Sequence, residues 1–364
     1  MDNHEEFDAI MKEIIDGLTG NPIRDIAYLR KKSREYHNHK LGRAISSACC
    51  ELALSCAPKQ VRERMLHSIE ERVDSIGADL ERASFLVFHD RFDKALELVE
   101  EVEMRICSGK HQDSETEEYR WFSETFEESL YHRIYKPTAD IVDVGLFFPW
   151  AYQLHGSILA ETGDLENARV MLKKALYYNP VDFDLNAKYI ETFKEDQHSD
   201  TFFETTVDAF KIAFRPEHLA RCYWNLGRCF RTKGLHEAAN VCYYLSLRYK
   251  PAGKARSALF EIERETGTFF REPAEERIAE IAAQYGFPTG PDAGILDLAN
   301  RSARFFLARR QYEDALYFLQ IEFGLTGSDE TEALIDKAEA ELLEKCRQEE
   351  NEAEDTPDGE EEED

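Results

Sequence analysis

PWAYQLHGSILAETGDLENARVMLKKALYYNPVD, residues 149–182, and ARCYWNLGRCFRTKGLHEAANVCYYLSLRYKPAG, residues 220–253, are one pattern written twice, 71 residues apart. Tyr152 aligns with Tyr223, Gly156 with Gly227, Gly163 with Gly234, Ala168 with Ala239 and Pro180 with Pro251. The spacing has a physical basis. Tyr152, Gly156 and Leu159 fall at i, i+4 and i+7, one face of a helix. Gly163 gives that helix a place to stop and turn. Ala168, Leu172 and Ala175 then line one face of a second helix, which Asn179-Pro180 terminates. Small residues at the crossing let the two backbones approach closely. The unit is a helical hairpin that cannot bury its apolar face alone, so copies must stack.

This unit resembles the tetratricopeptide repeat, a 34-residue helix–turn–helix with small, large and proline residues at these places. His155 is the one departure in 149–182, where a large aliphatic is usual, and Ser246 replaces alanine in 220–253. The resemblance implies an all-α fold, a right-handed α-solenoid whose first helices line the concave side.

Weaker copies lie on either side. Residues 76–109 place Ala83, Leu86, Ala95 and Val99 in the framework, and 296–329 place Ala303, Phe306, Ala315 and Leu319 there. Prolines 180, 216, 251 and 288 carry the period through two degenerate units, 183–219 and 253–288. Residues 1–75 read as N-terminal helices and a degenerate repeat, with 22–38 one of the helices. The array then occupies 76–348, and 335–348 form a solvated capping helix. Residues 110–148 break the period. EEYRWFSETFEESLYHRIY predicts an amphipathic helix on Phe122, Phe126, Leu130 and Ile134, and IVDVGLFFPW an apolar connector.

Residues 349–364, EENEAEDTPDGEEEED, hold eleven acids and no base, and read as a disordered acidic tail. The formal net charge of the whole chain is −28. Such an excess argues against phosphate backbones and anionic lipid as main partners. No apolar run reaches the roughly 18 residues of a membrane span. The start MDNHEEFDAI has no secretion-signal pattern. The eight cysteines lack any CxxC pair and read as reduced packing residues. The expected location is the cytoplasm.

Catalytic motifs are missing: there is no phosphate-binding loop, HExxH or GxSxG. His37, His39, Cys49 and Cys50 lack the paired spacing of a zinc site, so neither metal nor cofactor is expected. Residues 24–43 carry seven Lys/Arg against two acids and read as a solvated basic helix rather than a nucleic-acid arm.

The functional candidates are what the framework leaves over. Arg221, Trp224, Arg228 and Arg231 recur at i, i+3, i+7 and i+10, a single stripe, and differ from Trp150, Gln153, Ser157 and Ala160 at the matching places. Residues 215–264 hold ten Lys/Arg and four Asp/Glu. Lys254 and Arg264, then Asn300, Arg301 and Arg304, extend the stripe into later units. The resemblance places these residues on the ligand-facing concave surface. Relatives that hold chaperone C-termini clamp a terminal carboxylate with Lys, Arg and Asn, and Asn225 matches one such asparagine. Leu154 stands at its place one strong repeat earlier, so no paired clamp forms. The expectation is a non-catalytic interaction or scaffold module whose basic groove takes an acidic or extended peptide, the chain's own tail included. The alternative is a peptide-sensing regulator whose N-terminal helices act on an effector or nucleic acid.

Overall fold

A computed structural model of the chain describes residues 3–36, 39, 41, 45, 48–49, 52–53, 56, 76–106, 111–193, 200–251, 253–267, 269 and 271–354. Among these are sixteen α-helices and one two-stranded sheet, divided between two compact units.

The first unit comprises residues 1–121 and 139–179. It opens with α1 (Asn3–Asp16) and α2 (Pro22–Glu35). Their inner faces, Phe7, Met11, Ile14 and Leu29, join Leu41, Ile45, Cys49 and Ala53 in one core. Then α3 (Ile76–Phe88) and α4 (Phe92–Ile106) form a hairpin, and so do α6 (Phe147–Glu161) and α7 (Leu165–Tyr178). Leu80, Ala83, Ala95 and Val99 share a buried cluster with Ala151, Leu154 and Ile158, so one hairpin covers the next. The polar exception is His155, whose Nδ1 lies 2.7 Å from Glu103 Oε1. A histidine at this framework place is therefore a packed, hydrogen-bonded residue.

The segment between the hairpins differs from its helical reading. Glu117–Arg120 is a strand, β1, and pairs in parallel with β2 (Asp140–Asp143), Glu117 opposite Asp140. The expected helix is confined to α5 (Thr125–Tyr135), and the expected connector supplies β2 and the start of α6. Arg120 explains the strand: it makes a two-pronged ion pair with Asp113 at 3.0 and 2.7 Å, which an extended backbone aligns.

The second unit holds 122–138 and 180–364. Its hairpins are α8 (Phe183–Glu191) with α9 (Asp200–Ala209), α10 (Pro216–Thr232) with α11 (His236–Tyr249), and α14 (Ala293–Ala308) with α15 (Tyr312–Thr326), while α12 (Gly253–Thr266) and α13 (Glu275–Tyr285) each pack on α11. The last helix, α16 (Asp329–Glu354), packs on α15 and runs into the acidic segment, whose residues 355–364 lie outside the described set. Within this unit α5 bridges hairpins remote in sequence. The Phe126 ring sits 4.9 Å from Phe214 and 6.1 Å from Phe318. Glu124 accepts hydrogen bonds from Arg215 at 2.7 Å and from the Tyr317 hydroxyl at 2.6 Å.

Within both units the chain is thus an all-α array of stacked helical hairpins, and two glycine roles make the strong ones. Gly234 has φ +72°, the left-handed region glycine enters without cost, and closes the α10–α11 turn; Gly163 does the same at φ +91°. Gly227 is different: a Cβ there would stand 2.5 Å from the Tyr243 ring. At Gly156 it would stand 2.7 Å from Leu172. The missing side chain is the space the second helix occupies.

Gly227→Ala should lower urea stability by about 1–3 kcal/mol through overpacking, despite alanine's better helix propensity. In a Tyr243→Leu background the same change should cost well under half as much. Equal losses in both backgrounds would show that the ring is not the obstacle.

Asp182 provides a second test. It caps α8 by accepting from the Leu185 amide at 2.9 Å. Burial, with Glu127 nearby, raises its pKa to about 6. A carboxyl raised on folding costs stability above that pH and costs progressively less as pH falls toward its unfolded value. Asp182→Asn keeps the cap and removes the charge. It should stabilise the protein by about 1–3 kcal/mol at pH 7.5, and the gain should vanish at about pH 4.

Candidate functional site

α10 writes two sets of residues on one helix. Cys222, Tyr223, Leu226, Gly227, Cys229 and Phe230 are buried against neighbouring helices. Burial pushes the Cys222, Cys229 and Cys242 thiols up, which leaves them as unreactive packing groups. Arg221, Trp224, Arg228 and Arg231 keep part of their surface exposed on the other stripe, as the spacing predicts.

Two cavities open along this stripe. One, of about 690 Å³, is lined by Trp224, Arg228, Arg231 and Tyr243 from α10 and α11, and by Lys254 and Glu261 among others from α12. The other, of about 520 Å³, includes Phe183, Arg221, Trp224, Lys250 and Lys254 in its walls. Trp224 and Lys254 border both, so the cavities form one groove running past the indole. Trp224 leans on Tyr243 with ring centroids 5.3 Å apart. Tyr243 in turn lies over Gly227, so the glycine sets the depth of the groove wall.

The arginines are not free. Arg228 contacts both Glu191 oxygens at 3.5 and 3.4 Å and lies over the Phe202 ring at 5.9 Å. Arg221 approaches Glu191 at 3.9 Å. Arg231 forks onto Glu265 and Glu261, and their carboxylates hold its guanidinium more firmly protonated than usual. Lys250 and Lys254 have no carboxylate partner among the described residues. Counted over both cavities, the walls carry six Lys/Arg against five Asp/Glu, so the groove is nearly balanced in charge. At its second end His218 stacks on Phe183 at 4.0 Å. Burial, aided by Arg215 and Arg221, lowers its pKa to about 3, which keeps the ring neutral.

The structure brings Arg221, Trp224, Arg228, Arg231 and Lys254 together and leaves the other candidates out. Asn225 is corrected: it is 1 % exposed, turned into the helix packing, and absent from the groove wall. On the exposed stripe Trp224 precedes it by one residue and Arg228 follows by three, and one residue's rotation, about 100°, is enough to hide it. Arg264 is exposed on α12 but lines neither cavity. On α14, Asn300 donates to Glu322 of its own hairpin at 3.1 Å and Arg301 pairs with Asp297 at 2.7 Å. Arg304 is exposed on the same helix, away from the groove lining.

Sequence reasoning missed the carboxylates. Glu261 and Glu265 are one turn apart on α12, opposite Arg231, a signal that was available. Glu191 ends the first helix of a degenerate hairpin with no framework to align it, so nothing in the pattern points to it.

Among the described residues no group of three His, Cys, Asp or Glu is placed to hold a metal ion, and no helix is long and apolar enough to cross a membrane. His37 and Cys50 lie outside the described set.

No curated protein matches the chain. A family model for the tetratricopeptide repeat matches residues 151–182 and 220–252, which are the α6–α7 and α10–α11 hairpins. Repeats of this kind indicate a protein–protein interaction or scaffold module with protein partners. The chain therefore contains two tetratricopeptide repeats, one at each of these hairpins.

Proposed function

We propose that the groove of the second unit binds an extended segment of a partner protein, with an apolar side chain against Trp224 and carboxylates at Lys250 and Lys254. The observation that carries this reading is the indole and the Lys254 ammonium shared by two adjoining cavities. A half-buried aromatic anchor beside unpaired cations is the combination that concentrates binding energy at protein interfaces. Arg228 and Arg231, fixed by Glu191, Glu261 and Glu265, act as a rigid polar rim. The preference for acidic segments rests on the two lysines rather than on the arginine stripe.

The module is non-catalytic in this reading: the thiols of α10 and α11 are buried and the groove histidine is neutral. The described cysteines are all free, which suits a reducing compartment such as the cytoplasm.

Capture from source-cell lysate, with the native chain compared with Trp224→Ala/Lys254→Glu, tests the groove. The variant should lose at least one partner by about tenfold or more, since loss of a central aromatic anchor costs upwards of 2 kcal/mol. Lys233→Glu, on an exposed residue outside both cavities, should retain the full set. Identical recoveries from all three proteins would remove the groove from consideration.

A further inference from the structure

In the first unit α2 carries a cluster of cations without carboxylate partners. Its inner face carries Asp25 and Leu29, both buried, and Asp25 accepts from the Thr19 amide and hydroxyl at 2.8 Å. Lys32 is drawn inward between Tyr28 and Tyr36 and pairs with Glu35 at 3.1 Å. The outer face holds Arg24, Ala27, Arg30, Lys31 and Arg34, all exposed, within an arc of about 120° at 100° per residue. Ala27, Arg30, Lys31 and Arg34 wall a shallow depression of about 500 Å³ together with Glu35. Lys31 touches Glu35 at 3.5 Å, whereas Arg24, Arg30 and Arg34 have no carboxylate partner among the described residues. In the groove of the second unit Arg228 and Arg231 already hold glutamates.

We infer that this face of α2 docks the acidic C-terminal tail, residues 355–364, of a second copy of the chain. Charge complementarity carries the assignment. The stripe is a concentrated run of unpaired cations in a chain of net charge −28, and DTPDGEEEED is its most concentrated run of acids. The dimensions agree: Arg24 to Arg34 spans about 15 Å of helix, and the last six residues span about 20 Å when extended. Two copies repel each other everywhere except where opposite signs meet, so the contact joins the N-terminal region of one to the C-terminus of the other. Such a heterologous contact leaves one stripe and one tail free at the ends, and association is open-ended. A nucleic-acid strand would also meet four cations here, but it would approach against the field of the whole acidic chain.

Sedimentation velocity of the full chain, from about 5 to 100 µM, decides the matter at about 25 and 300 mM salt. At low salt the mean sedimentation coefficient should rise with concentration, and high salt should abolish the rise. Arg24→Glu/Arg30→Glu/Arg34→Glu should be monomeric, and so should the chain ending at Glu354, which keeps α16 whole. Circular dichroism should show unchanged helicity, since every altered residue is exposed or beyond the last helix. Mixed together, the two variants should form a 1:1 dimer, because one retains the tail and the other the stripe. The inference is overturned if the full chain stays monomeric at low salt, as a tail folded back on its own chain would make it. It is equally overturned if association survives either change, if the mixture forms no dimer, or if a 16-nucleotide single strand binds the stripe while the chain does not self-associate.

Discussion

A helix of ordinary diameter can cross another closely only where one of them gives up its side chain. In this protein Gly227 does so beneath Tyr243, and Gly156 beneath Leu172. That concession lets the second helix of each hairpin settle onto the first and exposes an apolar face that only the next hairpin can cover. The stacking of hairpins within each unit follows from it. So does the groove, because the ring seated over Gly227 supports the indole of Trp224.

Charge is arranged on top of that frame in a way the overall excess of acid obscures. On α10 two arginines are met by glutamates from neighbouring helices: Arg228 by Glu191, Arg231 by Glu261 and Glu265. Half-exposed ion pairs of this kind contribute little to stability, on the order of 1 kcal/mol or less each. Their value lies in holding long side chains in one orientation along a surface that meets partners. Lys250, Lys254 and the outer face of α2 are among the places where cations stay without such a partner among the described residues.

Much of the architecture was legible because repeats announce themselves twice. Tyr223, Gly227, Gly234 and Ala239 each had a counterpart 71 residues earlier, and a coincidence of small residues at fixed spacing has few causes other than helix crossing. The segment 110–148 had no counterpart, and there the helical reading held only for Thr125–Tyr135. Glu117–Arg120 became a strand because Arg120 found Asp113 and because β2 arrives beside it some twenty residues later, neither of which is a local property.

The sequence by itself determined the helical hairpins, their turns and the stripe of α10 that faces away from the packing, because period, turn geometry and side-chain size are local and repeat along the chain. Tertiary structure alone decided which members of that stripe border a groove, that Asn225 is buried while Trp224 beside it is not, and that the arginines already have partners. Burial and ion pairing depend on what a distant helix places within a few ångströms, and Glu191 and Glu261 reach α10 only once the hairpins have stacked.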